Sequence, residues 1–200
     1  MNRLTVIAVG ALLFSACICA QGAECGIVNG SFEEDGVISD IALQDPNGWS
    51  VGALAGKFQG LVYTNWASDG LYNLTLYSDW FQTFAMGETA TVAQQIELTD
   101  VNEITFDVQL STGSRARWDP NVCTPVLLVD DEVVWVLYVD TTDMQGEYLG
   151  QSYIVEDRFR DEQAHTVSLG LMMMFDGVLY EQYFTDWDNF DCTVFCNGGG

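Results

Sequence analysis

The sequence predicts an all-β chain folded as a two-sheet β-sandwich of the jelly-roll kind, and three observations predict it. Apolar and polar residues alternate with a period of two along much of the chain, polar turn signals separate the alternating runs, and no stretch sustains a helical period. The clearest run sets Ile104, Phe106, Val108 and Leu110 against Thr105, Asp107 and Gln109. Just upstream, Val92, Ile96 and Leu98 alternate with Ala93, Gln95 and Glu97, and Asp100-Val101-Asn102 marks the turn between. In chain order, further strands are expected over 26–33, 61–64, 72–77, 126–129, 133–139, 151–155, 166–175 and 183–192. Asp45-Pro46-Asn47-Gly48, Asp69-Gly70, Asp119-Pro120-Asn121, Asp130-Asp131 and Asp176-Gly177 punctuate them. The strands over 133–139 and 166–175 are apolar on both faces, so one face is core and the other lies under loops or lines a groove.

Composition narrows the function classes. Two hundred residues carry 29 Asp and Glu against 6 Lys and Arg, a formal net charge of -23. Nucleic acid and anionic membrane surfaces are bound through basic side chains, and this chain has a single lysine, Lys57. With 48% hydrophobic and 12% aromatic residues it is nonetheless a folding sequence, of a length that suits one domain. Residues 1–22 read as a secretory signal peptide: Arg3 is the basic start, Leu4 to Phe14 is too short to span a bilayer, and Ala20-Gln21-Gly22 is a small-x-small cleavage site. The domain then covers 23–196, with a glycine-rich tail over 197–200 and no transmembrane span. Phe14-Ser15-Ala16-Cys17 is an imperfect lipobox. Cleavage before Cys25 leaves an even four cysteines, Cys25, Cys123, Cys192 and Cys196, which in an oxidising compartment are expected to form two disulfides, whereas lipidation at Cys17 leaves an odd set.

Several short motifs then fall in a recognisable order. Ile27-Val28-Asn29-Gly30-Ser31-Phe32-Glu33, with Pro46-Asn47-Gly48-Trp49, resembles the opening of jelly-roll carbohydrate-binding modules of the cellulose- and xylan-binding group, in the galactose-binding-like superfamily. Ser68-Asp69-Gly70-Leu71-Tyr72-Asn73-Leu74-Thr75-Leu76 and Ala93-Gln94-Gln95-Ile96 are similar to its inner strands, and Trp187-Asp188-Asn189-Phe190 to its closing motif. The resemblance implies a structural calcium between the first and last strands, with Glu33 and Asp188 as ligands and Glu34, Asp35 and Asp186 nearby.

It also implies a non-catalytic module that binds a polysaccharide or other glycan through aromatic platforms. Trp66, Trp80, Trp118 and Tyr148 are the candidates, because each lies in or beside a polar loop stretch; Trp118 has Arg115, Arg117, Asp119 and Asn121 close by. Trp49, Trp135 and Trp187 read as core. Enzyme signals are weak: the sole histidine, His165, sits in what reads as an exposed loop, and neither a Gly-x-Ser-x-Gly elbow nor a His-Glu-x-x-His motif occurs. The alternative is a structural or adhesive extracellular protein that uses the same fold to contact protein, extracellular matrix or an associated secreted enzyme.

Overall fold

The computed structural model describes residues 26–52, 54, 56–113, 118–139 and 146–195. The expected leader over 1–22, the lipobox Cys17, Cys25, Cys196, Arg115, Arg117 and the tail lie outside the described residues. Where polar and apolar residues alternate, strands form: β1 (Ser50–Val51), β2 (Phe58–Tyr63), β3 (Asn73–Ser78), β4 (Thr83–Phe84), β5 (Thr89–Glu97) and β6 (Val101–Thr112). The second half supplies β7 (Cys123–Val129), β8 (Glu132–Val136), β9 (Gly146–Ile154), β10 (Ala164–Met173), β11 (Gly177–Val178) and β12 (Tyr183–Val194).

They make two antiparallel five-stranded sheets, in the orders β2-β3-β12-β6-β9 and β1-β5-β10-β7-β8, and a small β4–β11 ribbon. The chain passes repeatedly from one sheet to the other, as in a jelly roll. Between the sheets, Leu74, Leu76, Phe106, Val108 and Trp187 face Val92, Ile96, Leu127, Leu169 and Leu171, all buried. Phe106 anchors this layer, edge-on to Trp135 at 4.8 Å and tilted against Trp187 at 5.5 Å.

Three expectations are corrected. Residues 26–33 form turns rather than a strand, because Asn29 (φ 50°) and Phe32 (φ 59°) take left-handed backbone that twice breaks the extended run. Cys123 is a free thiol, fully buried where β7 pairs with Met173 of β10, and burial pushes its pKa well up. It therefore takes no part in a disulfide, and the parity of the cysteines loses its bearing on lipidation. His165 is not an exposed loop residue but lies in β10, 6% exposed, against the ring of Phe159.

Both nitrogens of that imidazole are engaged. Nδ1 lies 2.7 Å from Asp130 Oδ2 in the β7–β8 turn, and Nε2 lies 3.0 Å from Asp161 Oδ1. Burial disfavours the imidazolium, but hydrogen bonds to Asp130 and Asp161 and their charges outweigh it and raise the pKa above 6.5. A raised histidine pKa stabilises the fold fully below the unfolded value and ceases to do so as pH rises through the folded value. Wild type should thus lead His165→Gln in melting temperature by more at pH 5.5 than at pH 9 in scanning calorimetry. A lead that does not shrink at high pH would show that the ring acts by packing alone.

Candidate functional site

The opening and closing motifs meet at one junction. Gly30 lies so close to the last strand that a Cβ there would sit 1.8 Å from the Phe190 carbonyl oxygen, and the Phe190 N–H donates to Gly30 O at 3.0 Å. Trp49 stacks on Phe32 at 5.3 Å, meets Phe190 edge-on at 5.4 Å and donates its indole N–H to Asn29 O. Gln94 holds the incoming chain by accepting from Val28 N–H and donating to Val28 O.

Beside that junction the loop 64–72 folds back over the outer face of the β2-β3-β12-β6-β9 sheet. Leu74, Leu76, Thr185 and Trp187 point into the core, so the alternate residues Asn73, Thr75 and Tyr77 on β3 and Phe184, Asp186 and Asp188 on β12 point outward. Asp107 on β6 is the register partner of Asp188 and shares that face. Asp188 Oδ2 accepts the backbone N–H of Ser68 at 2.6 Å and of Asp69 at 2.8 Å, and Glu33 Oε1 accepts those of Leu71 at 2.6 Å and Tyr72 at 2.7 Å. The Ser68 hydroxyl donates to Asp107 Oδ2, whose other oxygen accepts from Gly150 N–H at 2.6 Å. Gly70, at φ +83°, leaves the space Glu33 needs; a Cβ there would lie 2.4 Å from its carboxylate.

This arrangement bears on the calcium that the resemblance implies. Glu33 and Asp188 do converge on one loop, but the oxygens they present meet N–H hydrogens. Two backbone N–H groups fill Glu33 Oε1, two fill Asp188 Oδ2, and Asn189 N–H occupies Asp188 Oδ1. A cation needing six to eight oxygens does not fit the pair as they stand. Among the described residues, no group of three or more His, Cys, Asp or Glu side chains is placed to hold a metal ion.

Asp186 differs from its neighbours. Its Oδ1 accepts from Asn65 Nδ2 at 2.9 Å, Asn73 Nδ2 at 3.0 Å and the Thr75 hydroxyl at 2.5 Å, while its Oδ2 is buried without a partner. Burial raises its pKa despite those three donors. Burial also pushes the Asp188 carboxyl upward, against the N–H bonds from Asp69, Asn189 and Ser68 that pull it down.

Beyond the loop, the same sheet face carries an aromatic shelf. The rings of Tyr77 and Phe184, register partners on β3 and β12, stack at 5.0 Å with 24° between planes, and both are half-buried. The Tyr77 hydroxyl donates to Gln59 Oε1, and Gln59 Nε2 donates to Asp79 Oδ2 at 3.3 Å. Across the sheet, Trp66 leaves the loop to donate its indole N–H to Glu147 of β9 at 3.1 Å.

The four aromatics expected as platforms do not converge. Trp66 lies on this face, Trp80 on the sandwich end, 39% exposed, and Tyr148 packs half-buried against the core. Trp118 is corrected outright: it is fully buried, edge-on to Tyr183 at 5.1 Å, because the ring turns into the core while Asn121 stays exposed. Tyr77 and Phe184 were not singled out, though a signal existed: each is an aromatic on the polar side of an alternating strand.

No protein-family model matches the chain, and no curated protein matches it. Solved structures do share the fold. A cyclase from Fischerella sp. in its apo form is 17% identical, with a TM-score of 0.53 over 87% of this chain and 97% of that one. The carbohydrate-binding module TmCBM61, in complex with β-1,4-galactotriose, is 14% identical, with a TM-score of 0.46 over 86% of this chain and 100% of that one. The CBM22-1 xylan-binding domain from Paenibacillus barcinonensis is also 14% identical, with a TM-score of 0.44 over 86% and 97%. At 17% identity the likeness to the cyclase is one of fold.

The carboxylates separate into two kinds by experiment. Asp188→Ala strands the Ser68 and Asp69 amides and should lower the unfolding free energy by about 2–4 kcal/mol in urea denaturation. Asp186→Asn keeps the accepting oxygen and removes a buried charge, so at pH 7 it should be as stable as wild type or more so. A large loss in Asp186→Asn would show that the ionised form is needed there.

Proposed function

We propose that the protein is an exported, non-catalytic carbohydrate-binding module that recognises a polysaccharide on the outer face of the β2-β3-β12-β6-β9 sheet. The observation that carries this reading is the Tyr77–Phe184 stack, a half-buried aromatic shelf flanked by amide and carboxylate groups. Pyranose faces are apolar and their rims are hydroxyls, so flat rings beside Gln59 and Asp79 supply both halves of what a sugar needs. An open sheet face admits a polymer at any point along its length. The leader expected over 1–22 supports export, as does the disulfide-bonded state of Cys192. Among the described residues no helix is long and apolar enough to cross a membrane.

Asp186 favours a second reading, acid chemistry on a small molecule held at the same face, since it is a buried carboxyl whose pKa burial raises and whose Oδ2 has no partner. That reading requires the loop 64–72 to lift, because Asp186 is fully covered. Turnover of any ligand that binds, lost in Asp186→Asn without loss of binding, would establish it.

Affinity electrophoresis through gels containing xylan, β-1,4-galactan or glucomannan tests the main reading. At least one polymer should retard the protein, and Tyr77→Ala or Phe184→Ala should weaken that by about tenfold. Migration unaffected by every polymer would contradict the assignment.

A further inference from the structure

The β4–β11 ribbon carries a second aromatic surface. Its register, Phe84 opposite Gly177 and Thr83 opposite Val178, continues through the Leu179 N–H donating to Gln82 O and the Phe81 N–H donating to Leu179 O, both at 2.9 Å. Phe84 and Leu179 turn inward, Phe84 onto Phe58 at 5.0 Å. The opposite side shows Phe81 and Tyr180, each 69% exposed and in edge contact at 6.0 Å. Trp80 adjoins Phe81 at 6.2 Å, and its backbone N–H is fixed by the Asp79 carboxylate at 2.8 Å.

Folding alone does not explain these rings. Phe81 sits at φ +56°, left-handed backbone in which a bulky side chain is strained and which Gly or Asn would adopt more easily. The phenyl ring also gains little burial there. Strain and exposure together leave one thing the residue supplies, an aromatic face presented to solvent and held by the two ribbon hydrogen bonds.

The surroundings select the ligand. Residues 79–83 and 176–182 contain Asp79, Asp176, Glu181, Gln82 and Gln182 but no Lys or Arg. Acceptor groups suit hydroxyl donors, and with a net charge of -23 they repel anionic polymers and phospholipid surfaces. We propose that Trp80, Phe81 and Tyr180 form a second carbohydrate platform, separate from the sheet-face shelf, that takes the pyranose faces of an uncharged glycan. The ligand class rests on the function proposed above; the existence of a second site does not. Two platforms on one rigid domain let the protein grip one long chain twice or join two chains, so polymers are bound more tightly than short oligosaccharides.

Titration calorimetry with xylohexaose, mannohexaose and cellohexaose tests this. Phe81→Gly relieves the strain, so the variant Phe81→Gly/Tyr180→Ser is expected to melt no lower than wild type and any lost binding is not lost fold. Wild type should bind two hexasaccharides per chain, and Phe81→Gly/Tyr180→Ser one. Tyr77→Ala/Phe184→Ala should also bind one, and the combined variant none. A single site removed only by Tyr77→Ala/Phe184→Ala overturns the second platform and leaves the sheet-face reading intact. A single site removed only by Phe81→Gly/Tyr180→Ser supports the ribbon and overturns the sheet face. No binding of any hexasaccharide by wild type overturns the ribbon platform; if polymer gels also fail to retard the protein, the carbohydrate reading falls with it.

Discussion

Carboxylates on backbone amides hold the polar half of this molecule in place. A loop that folds over a sheet cannot join the ladder, so its N–H groups need acceptors from elsewhere. Glu33 of the opening motif and Asp188 of β12 supply them, and Asp107 of β6 accepts the Ser68 hydroxyl. Asp107 and Asp188 are buried carboxylates, tolerable because donors meet them, and an amide gains most from a charged acceptor, so each side resolves the other's difficulty. The position of Asn65 over Asp186 and of Trp66 against Glu147 follows from that contact.

The residues that carry the resemblance to carbohydrate-binding modules are the ones that build this junction. Gly30 admits Phe190, Trp49 packs between Phe32 and Phe190, Gln94 holds Val28, and Glu33 and Asp188 hold the loop. None of them lies on the aromatic shelf of Tyr77 and Phe184. Such motifs mark how a jelly roll closes, and the surface that selects a ligand can change without disturbing them.

That division explains what the sequence made legible. Alternation located β5, β6 and β12 because an antiparallel sheet with one buried face imprints a period of two, whereas β7 and β10, buried on both faces, read as continuous apolar runs. It failed over 26–33, where Asn29 and Phe32 spend their apolar neighbours on turns, and at β8, which ends at Val136. Trp118 misled because its neighbours in sequence are polar, whereas its neighbours in space are Tyr183 and the core. The loop over 64–72 and the stacking of Tyr77 on Phe184 depend on pairing across residues more than a hundred positions apart, which no local pattern records. The acidity was legible from the start, and the structure gives part of it a task beyond solubility.

Amide hydrogen exchange at Ser68, Asp69, Leu71 and Tyr72 tests the carboxylate clamp most directly. These residues lie in a loop outside any ladder, with Ser68, Asp69 and Leu71 exposed. If Glu33 and Asp188 hold them, their amides should exchange slowly, and Asp188→Ala should release Ser68 and Asp69 while β10 stays protected. Exchange at the free-peptide rate in the wild-type protein would contradict the clamp and, with it, the placement of the loop on the sheet.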